Sequence, residues 1–364
     1  MGVLEFLCDR RFHQNFVLPP NPVTDRHKPY RVSYADFGDP NSSAVVLFCG
    51  ALFGTRFSYS PLDQLAKTHH VRIIHPDRPG IGGSDAVELG KRVQVWLEMV
   101  PQLLAHLNIT HVSLASHSGG DIYLMNTLLL YPHFLHPEHP YVCFFAPFVH
   151  PEHSRLAHLR ATELLPAPLI GKFAALAGFI VGNVIPAVGV SGALVHSAKT
   201  FILAPNPPAA IPLDPVSSEG HQDLDLDDPC VVNELRKLIT TFLFAESTDG
   251  ISADAQLFLK RSVSWCSPSI VWGDLDYAVQ LLATIVTEDD RLVGNRVIVD
   301  CFHAETDHLV GGKGQKWFDE CWVPSQSYEY RSTIVKGTDH DFLMDAAFGA
   351  SEIWLQRVRE TATR

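Results

Sequence analysis

One twelve-residue stretch restricts the fold more than any other. Val112-Ser113-Leu114-Ala115-Ser116-His117 is a short apolar-rich run, Ser118-Gly119-Gly120 is a turn of small residues, and Asp121-Ile122-Tyr123 opens a helical pattern. A strand that turns straight into a helix bends its backbone sharply, and only small flanking residues let helix and strand close on each other. Ser118 stands at the apex, with Ser116 two positions before it and Gly120 two after. The spacing is that of Gly-x-Ser-x-Gly with serine in place of the first glycine, and it suits a serine whose hydroxyl is presented as a nucleophile.

The surrounding chain alternates in the same way. Residues 11–40 alternate polar and apolar around Pro and Gly turns, which predicts an N-terminal antiparallel hairpin. Apolar runs at 44–49, 71–75, 111–117 and 141–146 then alternate with helical patterns at 59–68, 91–107 and 119–131. That order predicts a parallel sheet covered on both faces. After Pro147 the alternation breaks, and it resumes at 296–303 and 328–335 with a helical stretch from Gly314 to Trp322 between them. Residues 1–150 and 296–364 are therefore expected to form one core, and 151–295 a mostly helical cap inserted after the sixth strand. Within the insertion, 169–195 is very apolar, and a membrane span is its rival reading. Lys172, Asn183, Pro186 and several glycines argue against a span and for helices that face a pocket or a homodimer interface. Residues 205–230 are Pro-rich and then acidic, as in an exposed loop, and helical patterns return at 230–246, 252–262 and after Trp272.

Composition narrows the classes. A chain of 364 residues, 46% hydrophobic and 19% charged, has a substantial core. A net charge of -12 argues against nucleic acid and anionic membrane surfaces as partners. Seven cysteines without C-x-x-C spacing read as reduced thiols, and the N-terminus has no basic region followed by an apolar run, so a cytoplasmic protein without a transmembrane segment is expected. His136-Pro137-Glu138-His139 and His150-Pro151-Glu152-His153 look like ligand pairs, but proline prevents the regular helix that would put both histidines on one face. Asp77-Arg78-Pro79-Gly80-Ile81-Gly82-Gly83-Ser84 lacks the Gly-Lys-Ser/Thr of a phosphate loop and reads as a structural turn. Neither a metal nor a cofactor is expected.

Three segments in order, the strand and loop at 44–54, the strand leading into Asp77–Asp85, and the strand–Ser118–helix unit, resemble the α/β-hydrolase family. The resemblance covers roughly residues 30–150 and again 295–350. It implies a mostly parallel eight-stranded sheet with helices on both faces and an inserted cap. It also implies a chain order of serine, acid and histidine, each on a loop at the C-terminal edge of the sheet.

The chain supplies that order. Ser118 follows one apolar run, Asp307 follows 296–303, and His340 follows 328–335. A serine hydroxyl needs a base to take its proton and a third group to orient that base. Competing acids are Glu305, Asp274 and Asp276, while Asp339 and Asp341 are sequence neighbours of His340 and poorly placed to aim at its ring. A developing oxyanion needs donors, for which the expected amides are those of Gly119 and of Ala51 or, one register on, Leu52. The loop there reads Cys49-Gly50-Ala51 where the family has His-Gly-x, which leaves open what supports it; His117 is expected to support the turn at Ser118. The resemblance thus implies a serine hydrolase acting on an ester, lactone or thioester of an apolar small molecule, since dehalogenases and epoxide hydrolases of the family carry Asp at the position of Ser118. The same triad also serves C–C bond hydrolysis and non-hydrolytic lyase, cyclase or acyl-transfer chemistry in secondary metabolism. An inactive binding protein on the same scaffold is the reading from another class.

Overall fold

The computed structural model describes residues 2–157, 159–160, 170, 172, 224–226, 228–259, 265–266, 268–288 and 295–363. Eight strands form one sheet: β1 (Gln14–Leu18), β2 (Tyr30–Gly38), β3 (Val45–Cys49), β4 (Arg72–Pro76), β5 (Ser113–His117), β6 (Tyr141–Phe145), β7 (Val297–Thr306) and β8 (Tyr328–Asp339). Their spatial order is β1-β2-β4-β3-β5-β6-β7-β8. β1 pairs antiparallel with β2, and β2 with β4, as the alternating hairpin predicts. Every other pairing is parallel.

The central parallel strands β3, β5 and β6 are buried on both faces, as their apolar-rich runs require. All five residues of β3 are buried. Val45, Leu47 and Cys49 enter one apolar cluster, and Val46 and Phe48 enter the other. Helices α3 (Arg92–His106) and α4 (Gly120–Leu130) cover the first face. The second is covered by α1 (Val3–Leu7), α2 (Asp63–Thr68) and the C-terminal helix α10 (Ala350–Thr363), whose Trp354 packs edge-on against Phe145.

Between β6 and β7 the described elements are α5 (Pro151–Ser154), α6 (Pro229–Ala245), α7 (Asp249–Leu259) and α8 (Leu275–Glu288). α6 packs on the second face through Leu235 and Ile239, and α7 and α8 on the first through Leu257, Phe258 and Leu282. The apolar run at 169–195 and most of the acidic loop at 205–230 lie outside the described residues. Helix α9 (Gly311–Cys321) joins β7 to β8. No described helix is long and apolar enough to cross a membrane.

Two strands extend beyond their apolar runs. β7 continues to Thr306 and β8 to Asp339, and Thr306 lies opposite Asp339 after a register shift past Ala304. The next residue of each strand is Asp307 and His340. Their side-by-side placement follows from that pairing.

Candidate active site

Ser118 occupies the turn between β5 and α4 with φ +52°, a left-handed conformation that costs a serine about 1 kcal/mol or more. Neighbouring backbone holds it there. The Ser118 amide donates to the Phe145 carbonyl (2.9 Å), and the Ser118 carbonyl accepts from the Asp121 amide (3.1 Å). Glycine is obligatory at 120, where a Cβ would fall 2.1 Å from the Cys49 carbonyl oxygen. At Gly119 a Cβ would meet the Phe258 ring of α7 at 2.2 Å. Ser116 is fully buried in place of the usual glycine, and its hydroxyl has no hydrogen-bond partner.

The three residues singled out in the sequence meet at the C-terminal rim. Ser118 Oγ lies 2.9 Å from His340 Nε2, and His340 Nδ1 lies 2.8 Å from Asp307 Oδ2. The other Asp307 oxygen accepts the amides of Leu309 (2.9 Å) and Val310 (2.7 Å). Burial pushes the Asp307 carboxyl up, but the His340 ring and the two amides outweigh it and hold it below the ordinary range. Burial likewise pushes His340 down, and the Asp307 carboxylate outweighs it, so the ring ends above its usual value. With Nδ1 donating to the carboxylate, Nε2 is free to accept the Ser118 proton.

The competing acids are engaged elsewhere. Glu305 pairs with Lys336, and Asp274 with His153. Asp276 turns back to the Tyr277 amide, and Asp339 accepts the amides of Asp341 and Phe342. Among the described carboxylates only that of Asp307 hydrogen-bonds the His340 ring. The rings of His136 and His139 stack on each other, and that of His153 stacks on Trp317. The one described cluster of metal-ligating types is Cys301, His303 and Asp319. Its carboxylate is already taken by His303 (2.9 Å), Tyr330 and Ser332.

A buried relay ties the loop after β3 to the histidine. The Ala51 amide donates to the Tyr59 hydroxyl (2.9 Å), which donates to His117 Nδ1 (2.9 Å), and His117 Nε2–H donates to the His340 carbonyl (3.0 Å). Burial and the neighbouring His340 push His117 down to about 3, so its ring stays neutral and can both donate and accept. His117, expected to support the turn at Ser118, instead bridges Tyr59 and the His340 backbone. Of the three amides expected to face an oxyanion, that of Ala51 is committed to Tyr59, whereas those of Leu52 and Gly119 have no partner among the described residues. Arg78 accounts for the loop's other support, donating to the carbonyls of Gly50, Ala51 (2.7 Å) and Leu52 (3.0 Å). Tyr59 and Arg78 were not legible as site residues, because one sits in a short 3₁₀ approach and the other inside a turn.

No protein-family model and no curated protein sequence matches the chain. Solved structures do. It superposes on an esterase from Thermogutta terrifontis at 13% identity, covering 96% of this chain and 100% of that one, with a TM-score of 0.57. A carboxylesterase study of Nitrososphaera gargenis gives 15% identity, 95% and 98% coverage and a TM-score of 0.54. The enol-lactonase of Burkholderia xenovorans LB400 gives 12%, 96% and 100%, and 0.53. The chain has the α/β-hydrolase fold. Ser118 lies in the turn between β5 and α4, Asp307 and His340 follow β7 and β8, and α5 to α8 lie between β6 and β7.

Proposed function

We propose that this chain is a serine hydrolase that cleaves an ester, lactone or thioester of an apolar small molecule through an acyl-enzyme on Ser118. One observation carries the reading: Asp307, His340 and Ser118 form a continuous hydrogen-bonded line, 2.8 and 2.9 Å long in its two links, that ends on a serine held in a left-handed turn. Superposition on esterases and an enol-lactonase is consistent with it.

In this reading Ser118 Oγ attacks the substrate carbonyl as His340 Nε2 takes its proton. The tetrahedral oxyanion accepts hydrogen bonds from the amides of Gly119 and Leu52. His340 then gives the proton to the departing alcohol or thiol, leaving the acyl group on Ser118. A water molecule repeats the sequence, His340 removing its proton, and the acid leaves. Asp307 fixes the ring's tautomer and supports the imidazolium without itself taking a proton. The rings of Phe148 and Phe258, 5.4 Å apart, stand beside the turn and favour an apolar acyl or alkoxy group.

A fluorophosphonate probe tests the assignment. The wild type is expected to label and S118A not to, and hydrolysis of p-nitrophenyl esters of rising chain length and of a lactone panel is expected to disappear with the label. An unlabelled wild type, or equal labelling of S118A, rules the proposal out.

A further inference from the structure

Arg78 is a buried cation with two tasks. Its side chain is 1% exposed, and its two terminal nitrogens are spent on the carbonyls of Gly50, Ala51 and Leu52. Its third, Nε, donates to Asp254 Oδ2 at 2.8 Å. Asp254 is not part of the core. It lies on α7, in the insertion, 176 residues away, with its side chain wholly buried. Its second oxygen accepts from Arg92 (2.8 and 2.7 Å) and from the Tyr123 hydroxyl (2.5 Å). Arg92 in turn holds the Pro79 carbonyl (2.6 Å) and the Gly250 carbonyl (3.1 Å), so it clamps the turn after β4 to the start of α7.

The direction of the loop amides follows from this. In a planar trans peptide the C=O of one residue and the N–H of the next point opposite ways. Drawing the Gly50 carbonyl toward Arg78 turns the Ala51 N–H away from it, and that N–H meets Tyr59. Drawing the Ala51 carbonyl toward Arg78 turns the Leu52 N–H the same way. A guanidinium stays beneath the loop only if its charge is answered there, because an unpaired buried charge is strongly destabilising. The only carboxylate hydrogen-bonded to it among the described residues comes from the insertion.

We infer that Asp254, acting through Arg78, positions the Leu52 amide, so that the oxyanion site of the core is complete only when α7 is seated. The inference rests on the hydrolase reading above. Asp254 and Arg78 are positioning residues and touch no substrate.

D254N keeps the shape of the side chain and removes its charge. Measured per site titrated with fluorophosphonate, its kcat on a p-nitrophenyl ester is expected to fall about 10- to 100-fold, short of the roughly 10²- to 10³-fold lost when an oxyanion donor is deleted outright. KM is expected to stay within about threefold, and the affinity for a boronic acid that forms a tetrahedral adduct on Ser118 to fall in step with kcat. R78K, which keeps a cation but not the forked donors, is expected to behave the same way. A purely structural role would lower the folded fraction and leave kcat per titrated site unchanged. Should D254N not fold, Y123F removes one hydrogen bond and no charge, and is expected to move the same readouts in the same direction by less. Folded variants with kcat per site and boronate affinity within twofold of wild type overturn the inference. A wild type that neither hydrolyses the ester nor labels points instead to failure of the hydrolase reading.

Discussion

Replacing Asp307 by asparagine tests the tautomer on which the proposed chemistry depends. Asp307 Oδ1 accepts two amides, those of Leu309 and Val310. An NH2 group placed there would face two donors and leave buried amides unpaired at about 1–3 kcal/mol each. The asparagine oxygen must therefore take that position, and its NH2 must face His340 Nδ1, 2.8 Å from the present Oδ2. Nδ1 is then forced to accept, and the ring proton moves to Nε2, the atom 2.9 Å from Ser118 Oγ. A protonated Nε2 cannot take the serine proton. The expected loss in kcat is about 10⁴-fold, or about 5.5 kcal/mol of barrier. The pH profile adds a second readout. In the wild type burial lowers the His340 ring and the Asp307 carboxylate more than restores it, so kcat/KM is expected to decline as pH falls through a value above 6.5. Without that carboxylate burial is opposed only by the smaller upward pull of Asp341 and Asp339, and the residual activity of D307N is expected to have its acid limb at lower pH. The assay is p-nitrophenyl ester turnover from pH 4 to 9 on protein shown to be folded by circular dichroism. A folded D307N that keeps more than about a tenth of wild-type kcat, or whose acid limb does not move, would refute the tautomer argument.

Two further substitutions probe buried polar groups beside the site. Ser116 carries a fully buried hydroxyl without a partner, so S116A is expected to stabilise the protein by about 1 kcal/mol in urea denaturation; a loss of stability would show that the hydroxyl is satisfied. Burial pushes the Asp341 carboxyl up to about 7 from 3.8, and one of its oxygens has no partner. A carboxyl whose folded value is raised weakens the fold, a cost that sets in as pH rises through the ordinary value of 3.8 and is complete above about 7. D341N is therefore expected to gain about 2–4 kcal/mol at pH 8 and almost nothing at about pH 3, and equal effects at the two pH values would refute the assignment.

What the sequence made legible was local or periodic. β3, β5 and β6 are short and buried on both faces, β3 and β6 are written as unbroken apolar runs and β5 is set off by the small-residue turn that follows it, so their boundaries fall within two residues of the expected ones. The extensions of β7 and β8 were not visible because they are carried by Glu305, Thr306, Lys336, Gly337 and Thr338, which have no apolar pattern and span a register shift at which only Thr306 is paired, with Asp339. α10 was missed although Ala350, Trp354, Leu355 and Val358 follow helical spacing, since the reading stopped at the histidine loop.

The site divides along the same line. Ser118, Asp307 and His340 could be found one at a time, because each ends a strand and the sheet itself brings strand ends to one rim. Their support could not. The Ala51 amide is held by a hydroxyl on Tyr59 and the loop's carbonyls by a guanidinium on Arg78, and Arg78 is paired with a carboxylate 176 residues further on. In the linear chain Asp254 is one acid among several in a helical pattern, and Arg78 one base inside a glycine turn. Only full burial separates them from a solvated surface, where an ion pair is worth about 0–1 kcal/mol. At zero exposure the same pair is structurally binding: neither charge can be withdrawn without stranding the other. That coupling gives the insertion a hold on the chemistry of the core that no local pattern records.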